Sequence, residues 1–480
     1  MDVRMTAVHE TPIPGSEPLP RMRTAIAQSL RGAHAHDYTQ GPIGRSVLLL
    51  AIPMVLEVAL ESVFALTDIF FVSRLGEASV AAVGLTESML AIVYALAMGL
   101  GMGAAAVVAR RVGERDAEGA ARSAVQAVAV AAGISLVLGI AGFLLAPWLL
   151  AAMGASPEVI RVGTGYARIM LGGQAAVILL FVVNAIFRGA GDPAIAMRVL
   201  WLANGINIVL GPLLIFGVGP FPRLGVTGAA VATTFGRSVG AAFALWRLTR
   251  PEGHFQVRRR HLRLDPGTMR QIVRLSGSTT LQALIATASW LGLVRIVASF
   301  GDPAVAGYTV ALRVVVTAIL PSWGLSNAAA TMVGQALGAG KPDRAERAVW
   351  TACRYNLAFL AAVGVLFVAL AHPIVGVFTR EPEAMRIAVA GLRIIAAGFP
   401  LYAFGMVLTQ SFNGAGDTWT PTWINLGIFW AFEIPLAYLL AVHLGMGPAG
   451  AFTAVTIAFS ALAGVSAILF RRGSWKTKRV

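Results

Sequence analysis

Three carboxylates stand in one apolar run: Glu57, Glu61 and Asp68 in VLEVALESVFALTDIFFV, residues 55–72. At about 100° per residue, Glu61 turns about 40° from Glu57 and Asp68 about 20° back, so one helix shows all three on one face. Buried acids of this kind either take up a proton or cation, or pair with a cation on a neighbouring element. An ionised acid at mid-bilayer costs about 2.5–3.5 kcal/mol, which keeps such a face off lipid and against a protein-enclosed space. The elements that build that space come next.

The chain has 480 residues, 57% hydrophobic and 13% charged; soluble domains carry about 25% charged residues. This composition predicts an all-α polytopic membrane protein. Windows of about 20 apolar residues give twelve transmembrane helices near 46–72, 80–109, 121–147, 160–187, 196–217, 225–247, 271–299, 304–337, 349–372, 383–410, 419–442 and 446–470. The polar start of the chain argues against a cleavable signal peptide. The pair His34 and His36 in that tail is too sparse for a metal site. The lone Cys353 excludes an intrachain disulfide and a cysteine-based metal cluster.

The net charge of +15 sits at one side of the predicted bundle. Arg21, Arg23, Arg31 and Arg45 precede the first helix. Arg110, Arg111 and Arg115, then Arg188, Arg258 to Arg260 with Arg263, and Lys341, Arg344 and Arg347 follow in even-numbered loops, and Arg471, Arg472, Lys476, Lys478 and Arg479 close the chain. The positive-inside bias places both termini in the cytoplasm of a multi-pass inner-membrane protein. The charge then meets anionic lipid, and nucleic acid is not an expected partner.

Internal repetition divides the chain. RGAGDP (188–193) returns as NGAGDT (413–418), VARRVGERDAEGA (108–120) as VGQALGAGKPDRA (333–345), and RLGEASVAA (74–82) as SFGDPAVAG (299–307). The offset is 225 residues each time, as 188 against 413 shows. Two homologous six-helix lobes follow, related by an axis along the membrane normal. The expected divisions are a polar tail (1–41), an N-terminal lobe (42–247), a basic linker (248–266), a C-terminal lobe (267–473) and a basic tail (474–480). At that offset Glu57, Glu61 and Asp68 map to Gln282, Ala286 and Leu293. Only the first half carries the acids.

No ATP site drives such a protein. The nearest approach, GQALGAGKP at 334–342, fails the P-loop spacing and lacks its Ser/Thr. Transport would then run on an ion gradient or the solute's own gradient.

TDIFFVSRLG at the end of the first helix, the glycine-bearing loops after helices two and eight, the paired GAGD turns, NIVLGPLLIFG and GVTGAAVAT together resemble the multidrug and toxic compound extrusion (MATE) family, over roughly residues 46–470. The resemblance implies two lobes flanking a V-shaped cleft of alternating access. It also implies export of amphipathic, often cationic small molecules in exchange for protons or sodium ions, with no other cofactor. Asp68 falls on the family's first-helix aspartate, where relatives bind the coupling ion. Asn207 and Thr233 fall on its partners in helices five and six, but Gly211 stands where the family has a second aspartate. Glu57 or Glu61 would then supply the second charge, unless one carboxylate suffices. The branch with acids on helices seven and ten does not fit, because neither helix has one.

A single desolvated carboxylate is enough for a proton, whereas sodium prefers several oxygens. Gly211 therefore points to protons, with sodium at Asp68 as the alternative. Candidate substrate contacts are Asn184, Asn204, Glu433, Met54 and Tyr402. Glu433 has a structural alternative, pairing with Arg295, Arg313, Arg354 or Arg393, and Glu87 has one with Arg237. Methionine and aromatic residues suit a promiscuous cleft. A functional monomer is expected. The competing readings are a same-fold flippase or exporter of a lipid-linked or metabolite substrate, and, more distantly, a membrane-embedded enzyme.

Overall fold

Proline and glycine punctuate the chain where helices begin and end. The computed structural model describes Ser29, residues 36–251 and residues 253–478; Arg21, Arg23, Arg31, His34 and Arg479 lie outside the described residues. Twelve long helices run through them: α1 (Ile43–Val72), α2 (Glu77–Gly113), α3 (Ala117–Ala152), α4 (Pro157–Ala190, interrupted at Gly173), α5 (Pro193–Phe216), α6 (Val226–Leu248), α7 (Pro266–Ala298), α8 (Asp302–Gly338), α9 (Pro342–Gly376), α10 (Pro382–Gly414), α11 (Trp419–His443) and α12 (Pro448–Arg471). Six start on proline, whose missing N–H is no loss in the first turn. Asp116, Ser156 and Glu381 cap α3, α4 and α10 by accepting from backbone N–H groups.

Eleven of the twelve are long and apolar enough to cross a membrane. The exception is α6, where Arg237 and a run of Gly, Ala, Thr and Ser lower the hydropathy. It forms a helix at the predicted place all the same, packed on α4 and α5.

The repeat is written into the backbone. In the two GAGD turns Gly191 and Gly416 take φ of 90° and 82°, and Asp192 N and Asp417 N donate to Phe187 O and Phe412 O, both at 2.9 Å. Arg115 (φ 60°) has Gly340 (φ 68°) as its counterpart, so the first half pays a left-handed arginine where the second uses glycine.

The lobes do not divide cleanly at the linker. The first half of α1, from Val47 to Met54, is buried in one core with Leu325, Met332 and Val407 of the second half. Beyond Pro53 the helix turns to its own lobe and meets α5 and α6. Symmetrically, Ile272 and Leu275 of α7 join the N-terminal core, while Leu293 and Val297 lie in the C-terminal one. Each half thus lends the start of its first helix to the other.

Contact between lobes gathers at the basic end. Gly99 and Gly103 of α2 leave room for Thr280 and Ser276 of α7. Thr279 Oγ1 donates to Gly99 O at 2.9 Å, Thr331 Oγ1 to Arg188 O at 3.2 Å and Gln335 Nε2 to Gly189 O at 3.0 Å. Toward the other end, Ile92, Trp290 and Trp323 are exposed.

The expected loose basic segments are pinned. Glu118 of α3 accepts from His261 and Arg260 of the linker, and Gln126 bridges Arg263 O and Asp265 N. Trp475 is fully buried and stacks on Phe470 at 4.6 Å, and Lys476 pairs with Glu346 at 2.5 Å. Residues 474–478 therefore fold back onto the bundle.

Candidate functional site

The acids of α1 have different surroundings, turn by turn. Glu57, one turn beyond Pro53, is buried and accepts from Arg188 Nη1 of α4 at 2.6 Å. Arg188, which the charge pattern assigned to a loop, points into the bundle instead. Glu61 accepts from Arg237 Nη2 at 2.7 Å and from Asn204 Nδ2 at 2.9 Å. The Arg237 guanidinium also lies 5.6 Å from the Phe64 ring centre, and its Nε and Nη1 are buried without a hydrogen-bond partner. Arg237 therefore pairs with Glu61, not with Glu87 as the sequence left open.

Asp68 differs from both. Among the described residues no hydrogen bond or ion pair reaches its half-buried carboxylate. The charges that act on it are those of Glu87 and Arg237, and Tyr94 and Tyr166 stand close enough to feel it in turn.

The other expected members separate. Asn207 Nδ2 donates to Thr233 Oγ1 at 2.6 Å, joining α5 to α6. Asn204 is engaged by Glu61, and Asn184 is buried with its Oδ1 unpartnered. Met54 is 1% exposed inside the core shared with α8 and α10, so it lines no cleft wall here. Tyr402 packs on Phe459 at 4.2 Å. Glu433 has none of the four arginines as a partner; it accepts from Ser289 Oγ at 3.0 Å.

Repeat counterparts explain this division. Glu57 and Arg188 correspond to Gln282 and Asn413, which exchange two hydrogen bonds at 3.1 and 3.2 Å. The same joint is made with charge in one half and without it in the other, which marks Glu57 as a structural residue. Counted from the GAGD turns, Asn204 corresponds to Phe429. Counted from Gly225 and Gly447, which open α6 and α12 with positive φ, Arg237 corresponds to Phe459. Phe429 and Phe459 pack edge to face at 5.4 Å. Where the first half places an ion network, the second places two rings.

The family profile of MatE matches residues 53–213 and again 279–439, two stretches of equal length that together cover most of both halves. The chain belongs to the MatE family. Among curated relatives of this MatE protein, a probable multidrug resistance protein NorM of Thermotoga maritima is 25% identical over 91% of this chain and 94% of its own length. An FAD transporter of Shewanella oneidensis is 25% identical over 84% and 89%. Among solved structures, a multidrug resistance MATE transporter in an outward-facing conformation superposes with a TM-score of 0.85 at 26% identity, covering 92% of this chain and 98% of that one.

For this MatE chain the counterparts also outline the chamber around Asp68. Leu293, Leu312, Val455 and Phe459, which correspond to Asp68, Glu87, Thr233 and Arg237, line a single recess in the C-terminal lobe. By the same fold, the four polar residues face one space in the N-terminal lobe. Sequence reasoning missed Glu87 as the neighbour of Asp68. The available signal was an acid on the second helix whose repeat counterpart, like that of Asp68, is leucine.

Proposed function

We propose that this protein is a secondary active exporter of amphipathic, cationic compounds, with Asp68 as its coupling acid. The observation that carries this reading is the distribution of counter-ions: Glu57 and Glu61 are each held by an arginine, whereas Asp68 has no hydrogen bond or ion pair among the described residues. A carboxylate without a fixed counter-ion is the one a proton or cation from the cleft can neutralise. Glu87, rather than Glu57 or Glu61, takes the place of the acid absent at Gly211.

Protons are the proposed coupling ion and sodium the alternative. Arg237 keeps two N–H donors free beside Asp68, so the charge of Asp68 has a direct route to the α1–α6 contact through Glu61. Neutralising Asp68 removes one of the two acids that attract the guanidinium, and the segment of α1 beyond Pro53 is the part that responds. The basic end, where the lobes meet, is the proposed cytoplasmic side of the inner membrane, so the splayed end faces outward. Alternating access then requires the contacts of Gly99, Gly103 and Gln335 to open. A monomer contains every residue this reading uses.

The test is transport into liposomes under separately imposed pH and sodium gradients, with wild type and Asp68→Asn. A pH gradient should drive ethidium transport by the wild type alone. Sodium-driven transport at constant pH would replace the proton by sodium, and full activity of Asp68→Asn would remove the proposal. The Shewanella oneidensis relative named as an FAD transporter favours a second reading, export of a metabolite. Adding FAD to the same assay separates the two, because an anionic dinucleotide and ethidium should not compete for an acidic chamber.

A further inference from the structure

The recess that corresponds to the Asp68 chamber has lost the acids at those positions, yet a carboxylate stands behind its wall. Glu433 is the last residue of a π-helical stretch, Leu426–Glu433, in α11. Such stretches are rare and are frequently found at functional sites. The side chain is 1% exposed, and Ser289 Oγ is its hydrogen-bond donor. That hydroxyl also reaches Phe429 O at 3.3 Å, a carbonyl of the same π stretch. Among the described residues no Lys, Arg or His pairs with Glu433.

Two phenols stand between this carboxylate and the recess. The charge of Glu433 acts on both Tyr308 of α8 and Tyr402 of α10, and both line the recess with Trp290, Phe399 and Phe459. The Tyr308 hydroxyl is buried and has no hydrogen-bond partner. The space measures about 530 Å³ including its open mouth, within the roughly 300–1,000 Å³ usual for small-molecule sites. A buried acid with no counter-ion, an unpartnered hydroxyl and a wall of rings make one arrangement. Aromatic faces attract organic cations through their quadrupole, most strongly when the cation is desolvated, and a buried carboxylate favours the same charge.

We propose that Glu433, Tyr308 and Tyr402 form a binding site for a monovalent organic ammonium ion in the C-terminal lobe, separate from the Asp68 chamber. The proposal rests on the exporter reading and names its cargo site: coupling ion in one lobe, organic cation in the other. Ser289 is a positioning residue, holding the carboxylate toward the phenols.

The experiment is equilibrium binding of radiolabelled tetraethylammonium to the purified full-length protein in detergent, which needs no ion gradient. Saturable binding is expected in the wild type and, undiminished, in Asp68→Asn. Glu433→Gln should weaken it about 30-fold or more, as loss of one partner of a buried charge pair does, and Glu433→Asp should restore part of it. Tyr402→Leu, which keeps every charge, should weaken it several-fold through the lost ring face. Equal binding by wild type and Glu433→Gln would overturn the proposal, as would Glu433-dependent binding of radioactive sodium with none of tetraethylammonium. Loss of transport in Asp68→Asn with binding intact would leave this site standing, whereas loss of binding in Glu433→Gln with ethidium transport intact would show that the exporter does not use it.

Discussion

Arg237 and Glu61 meet at 2.7 Å in the N-terminal lobe, and the guanidinium is the more deeply buried partner, 4% exposed against 33% for the carboxylate. An intramembrane arginine of this kind is stable only while its acid is present. Asn204 supports Glu61 from α5, so three helices, α1, α5 and α6, depend on one ion pair.

Glu61→Gln strands that arginine. Removing one partner of a buried pair costs about 3–5 kcal/mol, somewhat less here because Glu61 is partly exposed. A clearly lowered unfolding midpoint in detergent is expected, with most of it regained in Glu61→Gln/Arg237→Met. Wild-type stability of the single variant would show that the pair holds nothing together.

Asp68→Asn should behave in the opposite way. Among the described residues its carboxylate carries no bond that folding needs, so the unfolding midpoint should stay within about 0.5 kcal/mol of wild type, as for changes away from structural networks. Coupled transport should nevertheless disappear. Comparing the two variants on stability and on transport separates the structural acid from the functional one.

The contact between lobes can be tested at one glycine. A Cβ on Gly99 would stand 2.7 Å from Thr280 N and 2.9 Å from Thr280 Cα, both backbone atoms that cannot step aside. Gly99→Ala should therefore cost about 1–3 kcal/mol through overpacking, although alanine is the better helix former. Gly84→Ala on the same helix meets nothing within 4 Å and should be neutral or mildly stabilising. Thermal unfolding of the pair reads the difference.

The segment before α1 gives a pH dependence. Arg344 donates to Tyr38 O, Gln40 O and Gly41 O, Lys341 to Thr39 O, and Arg115 pairs with Asp37 at 3.3 Å. Burial works against the charge of Asp37, but hydrogen bonds from the Thr39 hydroxyl and amide and from Arg115 outweigh it and hold the carboxyl below its usual range. A lowered pKa stabilises the docked form above the unfolded value, and that stability is lost as pH falls through the lowered one. Limited proteolysis near residues 36–42 should be slow at neutral pH and should quicken only at pH below the ordinary aspartate range. Asp37→Asn should be cut faster at neutral pH.

Much of the fold was legible because membranes impose simple rules. Long apolar runs, prolines at helix starts and the 225-residue repeat gave twelve helices in two related halves, and all twelve are present. The division into lobes was less legible: the starts of α1 and α7 pack in the opposite lobe, a packing choice that leaves no mark on hydropathy. Apolarity also misjudged Met54, a core residue, and the segment 474–478, whose Trp475 outweighs its charges.

The sequence by itself determined that three acids share a face of the first helix and that the second half has none of them. Only the tertiary structure decided which acid is free. Arg188 and Arg237 lie 131 and 176 residues along the chain from Glu57 and Glu61, and no periodicity connects such distant positions. Folding brings them within hydrogen-bond distance because each buried charge must find its opposite when the helices pack. Asp68 is left facing Glu87 and the unused donors of Arg237, which is why the coupling role is proposed for it alone.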